Sequence, residues 1–393
     1  MNRRLFLKTL GSAGALLLAG KSAPARSLFV VGVEDSTGIS SIEWALYETG
    51  RRKPDNQPER RCAVRITGMS GVQGWADLAG STMPDPANMG LIRNVLLGRS
   101  TAEHNAIWRQ LYEQGIPLGV LAAVDVAFWD LRGRLEGKPT HVLLGTRRQD
   151  VKVYASTGFN LGDPQAYAAY AVACKEKGTP ACKVQPYIGS PDRDTAVYKA
   201  VRDAVGPDYP CMAGGSRTYA FDEALRIGRL LDDLAYKWYE SPMPEDDAWR
   251  DRYASLAAQV KTPIGALATN PDSYPARVLW ITAKACDIAC MDALHGGLTA
   301  CMELASACEA AGIPLDLPSI GPDSYPHLQL IAATDLSLIE YFEFPSPSRE
   351  PFVQPGRLTP EPTCDVQGRV LIPQTPGMGI ELDWRYIYTH RVG

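Results

Sequence analysis

Histidine is scarce in this chain. The five in 393 residues, His104, His141, His295, His327 and His390, are scattered, and none joins a cysteine cluster with zinc-site spacing. An excess of basic charge is missing too. Lys and Arg number 40 against 44 Asp and Glu, a formal net charge of -4, which argues against a nucleic-acid partner. Cysteine is limited to nine residues, an odd number spread over the chain, which excludes a disulfide-stapled scaffold. Beyond the first residues no run is apolar enough to cross a bilayer. What is present is globular: 45% hydrophobic and 21% charged residues exclude disorder and coiled coil.

The first residues read as a leader. Arg3-Arg4-Leu5-Phe6-Leu7-Lys8 precedes a mildly apolar stretch from Thr9 to Gly20 and then Ala23-Pro24-Ala25. A basic segment, a short apolar one and an A-x-A site predict a signal peptide over residues 1–25, cleaved after Ala25. The paired arginines resemble a twin-arginine (Tat) signal, which implies a periplasmic or secreted protein that folds before export. A retained membrane anchor is the alternative, but the stretch is shorter than the ~20 residues a span needs. Folding in a reducing compartment predicts buried free thiols.

Two compositions follow. Residues 27–49 and 62–67 alternate as strands do, and the polar stretch 51–60 between them reads as an exposed loop. Helical patterns cover 87–97, 101–114 and 118–136. From Val151 the rhythm is regular. Short β-rich runs begin near Val151, Ala181, Cys211, Trp238, Ile264, Ile288, Pro314 and Leu338, and a helical pattern fills each gap. Eight such alternations predict a parallel (β/α)8 barrel, with chemistry at the C-terminal strand ends. An open doubly wound sheet would want a glycine-rich turn after its first strand, and Ala155-Ser156-Thr157-Gly158-Phe159 has one glycine.

Several motifs resemble the enolase superfamily, in its mandelate-racemase/muconate-lactonizing branch. They are Gly119 to Gly133 with Asp125 and Asp130, Gly137-Lys138-Pro139, Trp238-Tyr239-Glu240-Ser241-Pro242, Gly296-Gly297-Leu298-Thr299, Ile339-Glu340-Tyr341 and Pro376-Gly377-Met378-Gly379. The resemblance implies an α/β fold: a modified (β/α)8 (TIM-type) barrel with an α+β capping domain. The cap would comprise residues 26–148, the barrel 149–355, and a C-terminal segment 356–393 would return to the cap. Homo-oligomers are common in the family. Its chemistry uses Mg²⁺ on three acidic residues to stabilise the enolate formed when a base removes the α-proton of a carboxylate.

Most of the implied site is altered. Gly214 and Ala268 stand in place of two metal-binding acids, and Glu240 is the retained third. Lys183 is kept, but Gln185 replaces the usual base and Pro318 the histidine. One carboxylate holds Mg²⁺ poorly, so no cofactor is expected unless Asp292 or Asp316 rebuilds the site. The candidate catalytic residues are Lys183, His295 and Glu340. Arg217, Tyr219, Asn270, Asp292 and Asp316 are candidates for substrate binding, and Glu240 for metal. Lys183 is expected either to pair with Glu240 inside the barrel or, like Arg217, to receive a substrate carboxylate. The resulting expectation is an exported, non-catalytic or strongly diverged carboxylate-binding protein. The alternatives are a metal-independent isomerase or lyase and a divergent Mg²⁺-dependent sugar-acid dehydratase or racemase. The expected partner is a small carboxylate or none, with no nucleic acid and no membrane span.

Overall fold

The computed structural model describes residues 37–392, apart from 54, 79–82, 158–160, 187–189, 216, 269–272, 319–323 and 345–352. The leader lies outside the described residues. Period-two burial makes β1 (Ile39–Arg52), β2 (Pro58–Gly68) and β3 (Gln73–Leu78) an antiparallel sheet in the order β1-β2-β3. This corrects the loop expected over 51–60: both strands run into it, and only a short connection remains. Polar, arginine-rich composition is what an exposed hairpin end also shows, as in the Arg60–Glu48 pair at 3.0 Å.

Helix α1 (Pro86–Leu96) starts where the Asp85 side chain accepts the Asn88 N–H at 2.8 Å and Pro86 fits the first turn. Helices α2 (His104–Glu113), α3 (Leu118–Glu136) and α4 (Thr140–Leu144) follow. Helix α3 is buried nearly all round because it lies between the cap sheet and the barrel helices.

The barrel strands are β4 (Asp150–Ser156), β5 (Cys182–Val184), β6 (Cys211–Gly214), β7 (Tyr239–Glu240), β8 (Ile264–Ala266), β9 (Ile288–Cys290), β10 (Leu315–Asp316) and β11 (Tyr341–Phe344). Helices α5 (Pro164–Glu176), α6 (Pro191–Val205), α7 (Phe221–Asp233), α8 (Arg250–Ala257), α9 (Tyr274–Thr282), α10 (Gly297–Ala311) and α11 (Ser324–Ala332) alternate with them. The parallel order is β10-β9-β8-β7-β6-β5-β4-β11. The Leu315 N–H donates to the Leu338 C=O at 2.7 Å and draws the two edges together. A ninth strand, β12 (Arg369–Leu371), runs antiparallel to β4, and α12 (Trp384–Thr389) packs on β1. The α/β class and the barrel are therefore what the sequence pattern predicts, and the cap is what the family resemblance implies. None of the nine cysteines is in a disulfide; eight are buried and Cys364 is half-buried. No helix among the described residues is long and apolar enough to cross a membrane.

Candidate functional site

Short parallel strands turn alternate side chains into the barrel, and four ionisable ones meet there. Lys183 on β5 has no exposed surface. Its Nζ donates to Glu240 Oε2 of β7 at 2.8 Å and lies 3.1 Å from Glu343 Oε1 of β11, an ion pair without hydrogen-bond alignment. The ammonium also stands 5.1 Å from the Tyr154 ring centroid. Tyr154 OH donates to Asp316 Oδ2 at 3.0 Å, which brings the end of β10 into the same layer. Burial alone disfavours the Lys183 ammonium, but Glu240, Glu343 and Asp316 outweigh it and hold its pKa above the ordinary lysine range. Asp316 is pushed up to about 7, first by burial, with Lys183 pulling down and Glu240 and Glu343 pushing up. Cys290, at the end of β9, is a thiol whose pKa burial raises well above normal.

The backbone is strained just above this layer. Arg217, Ser241 and Leu267 follow β6, β7 and β8 with φ of 58°, 48° and 81°. Left-handed backbone in such residues persists only where surroundings impose it, and it gathers at functional sites. Glu245 supplies part of that constraint, accepting Ser241 Oγ–H at 2.6 Å and the Leu267 N–H at 3.0 Å. Arg217 is half-buried, and its guanidinium pairs with no carboxylate among the described residues.

The other predicted residues are dispersed. Tyr219 is buried with its hydroxyl on Asp194 of α6, which pins it within the helix layer. Asn270 lies outside the described residues. Asp292, after β9, accepts the Leu294 N–H at 2.9 Å and lies 3.4 Å from His327 Nε2. His295 is half-buried in the turn before α10, its N–H on the Asp292 C=O at 3.0 Å. Glu340 is a correction. It precedes β11 at the N-terminal end of the barrel, pairs with Lys237 at 2.9 Å, and borders a depression with Pro314 and Leu338. The strand starts at Tyr341 and not near Leu338, so Glu340 falls before it and Glu343 faces inward.

Two partners were not foreseen. His327, on α11, accepts the Ala293 N–H at Nε2 at 2.9 Å, which leaves its proton on Nδ1. Glu343 is flanked by Phe342 and Phe344, and only the period-two count from Tyr341 marks it as inward-facing.

Comparison with known families settles the ancestry. Residues 166–386 match the model described as enolase C-terminal domain-like. Residues 56–145 match the N-terminal domain of mandelate racemase / muconate lactonizing enzyme. The chain belongs to the enolase superfamily. D-galactarolactone cycloisomerase of Agrobacterium fabrum is 28% identical, over 81% of this chain and 88% of its own. Arabinonate dehydratase of Saccharolobus solfataricus is 25% identical, over 74% of this chain and 78% of its own. The solved D-glucarate dehydratase of Agrobacterium tumefaciens, complexed with magnesium, superposes with a TM-score of 0.79 at 23% identity. That match covers 91% of this chain and all of the other.

Magnesium in that superfamily structure overturns the expectation that no cofactor is involved. In this chain one group of side chains could hold a metal ion. Glu240, Cys290 and Asp316 bring one donor atom each to within 4.8 Å of one another, the one such group among the described residues. The two carboxylates suit a hard divalent ion, while the Cys290 sulfur does not. Asp316, the second carboxylate of that group, closes β10, two strands round the barrel from β8 and four from β6. Lys183 competes for Glu240 in the same layer.

Proposed function

We propose that this enolase-superfamily protein is a diverged lyase or isomerase acting on a polyhydroxy carboxylate, a sugar acid or its lactone. The observation that carries this reading is the charged layer of Lys183, Glu240, Glu343 and Asp316 at the barrel's strand ends. An apolar layer of the same volume would be as stable or more so, and function accounts for keeping four ionisable groups there. The activities named for the relatives support the substrate class.

Each group has a distinct task. Glu240 and Asp316 would hold a divalent ion, which when bound supplies Lewis-acid stabilisation of charge developing on the substrate carboxylate. Lys183 keeps its proton and acts through its field; with its pKa held up it is no general base. Arg217 offers an open guanidinium to a carboxylate. His295 and Asp292, in the turn between β9 and α10, are the groups able to take or return a proton. A carboxylate-binding protein without turnover is the second reading, favoured by Gly214, Gln185 and Ala268 in place of two acids and a base.

The test is formation of a 2-keto acid or a ring-opened product from gluconate, arabinonate, galactarate, glucarate and galactarolactone with Mg²⁺ present. We expect conversion of at least one, abolished by Glu240→Gln and by Asp316→Asn. Saturable binding with no conversion of any selects the second reading. We also infer export, supported by the leader motif; the mature protein recovered from the periplasm should begin at Arg26.

A further inference from the structure

Gln185 directly follows β5, and its backbone is held on both sides. Its N–H donates to Thr157 Oγ1 at 2.9 Å, and its C=O accepts the Tyr167 hydroxyl at 3.2 Å. Counting by two from Lys183 turns its side chain toward the barrel interior. There it lies against Gly214, which pairs with Glu240 in the sheet register. A Cβ on Gly214 would come 2.5 Å from Gln185 Cγ and 3.2 Å from Cδ. The amide therefore fills the room that any side chain on β6 would take at this level. Gly214 is not merely a position that lost an acid; it is the complement of Gln185.

The amide is also unfinished. Gln185 is 7% exposed, yet its Oε1 accepts no hydrogen bond from the described residues. Native structures seldom bury an acceptor without a donor, and at a strand end in a barrel the absent donor is most simply a ligand. An amide oxygen takes a hydroxyl or an N–H and gains nothing from a carboxylate, which has no proton to offer.

We propose that Gln185 is a substrate-binding residue whose Oε1 accepts a hydrogen bond from a hydroxyl of a polyhydroxy carboxylate, its amide held in place by filling the room that Gly214 leaves. This rests on the sugar-acid reading above and sharpens it: a hydroxyl of the substrate chain faces Gln185 Oε1 at the end of β5. Where a lysine would compete for the substrate's α-proton or its charge, a neutral amide recognises its hydroxyl pattern.

Calorimetric titration with galactarate and with adipate, the same six-carbon diacid without hydroxyls, tests this on the wild type and on Gln185→Leu, in Mg²⁺ buffer. Galactarate affinity should fall roughly tenfold in the leucine variant, and adipate affinity should be the same in both. Equal galactarate affinities overturn the proposal and leave the sugar-acid reading standing. A wild type that binds no hydroxylated acid overturns both. The packing claim is read without ligand, by thermal unfolding. Gly214→Ala should lower Tm in the wild type but not in a Gln185→Ala background, and additive effects would contradict the fit.

Discussion

A lysine with no exposed surface needs counter-charge in direct contact, and Lys183 receives it from two strands, at 2.8 Å from Glu240 and 3.1 Å from Glu343. Replacing it by methionine keeps the volume but leaves Glu240, Glu343 and Asp316 facing one another. The expected cost is about 3–5 kcal/mol, the usual penalty for stranding buried charge, read by chemical denaturation. A loss below about 1 kcal/mol would show that the carboxyls simply take up protons instead. Legibility at this scale was uneven. The Lys183–Glu240 pair could be foreseen because both residues sit in motifs at strand ends. Asp316 was visible only as a nearby acid, and the inward turn of Glu343 was hidden by the Glu340 motif three residues earlier. His327 gave no signal because its partners, Asp292 and the Ala293 N–H, come from another element.

At the scale of elements, the joint between cap and barrel is built on Asp125 of α3. Its carboxylate accepts the Thr299 N–H at 2.9 Å and the Thr299 hydroxyl at 2.6 Å, and lies 2.8 Å from His104 Nε2 on α2. Gly297 has a φ of 84°, and a Cβ there would run into that carboxylate, which is why the turn into α10 needs glycine. The joint thereby fixes the turn that carries Asp292 and His295. Asp125→Ala should cost about 2–4 kcal/mol, since several buried donors lose one acceptor, and should speed amide exchange at Gly296–Thr299. Burial lowers the pKa of His104, so the fold holds it neutral. Its contribution is therefore present above the ordinary histidine pKa of ~6.5 and is lost as pH falls below that value. His104→Gln should flatten the stability profile between pH 7 and pH 5, and an unchanged slope would contradict this account. The motif Gly296-Gly297-Leu298-Thr299 was readable as a pattern; the reason for it, a carboxylate from the cap, was not.

Over the whole molecule the alternation of strands and helices was legible because period two and period 3.6 are local properties. The return of the C-terminal segment was legible only through family motifs. Asp77 of β3 holds that segment: Arg61 Nε lies 2.8 Å from it and Arg357 Nε 3.0 Å. Burial works to raise the Asp77 pKa, but the two guanidinium groups outweigh it and keep it below the ordinary carboxylate value. Its stabilisation is present above that ordinary value and is lost as pH falls through the depressed one. Arg357→Ala should cost about 2–4 kcal/mol and make the segment beyond residue 353 the first site of limited proteolysis. Glu240, Asp316 and Lys183 are proposed to form a working site for a sugar acid despite Gly214 and Ala268. Deuterium incorporation at C2 of galactarate or gluconate, followed by proton NMR in D₂O with Mg²⁺, tests it most directly, because it reports α-proton removal even without net turnover. Exchange is expected with the wild type and none with Asp316→Asn; no exchange by the wild type, or equal exchange by the two, would rule out this site.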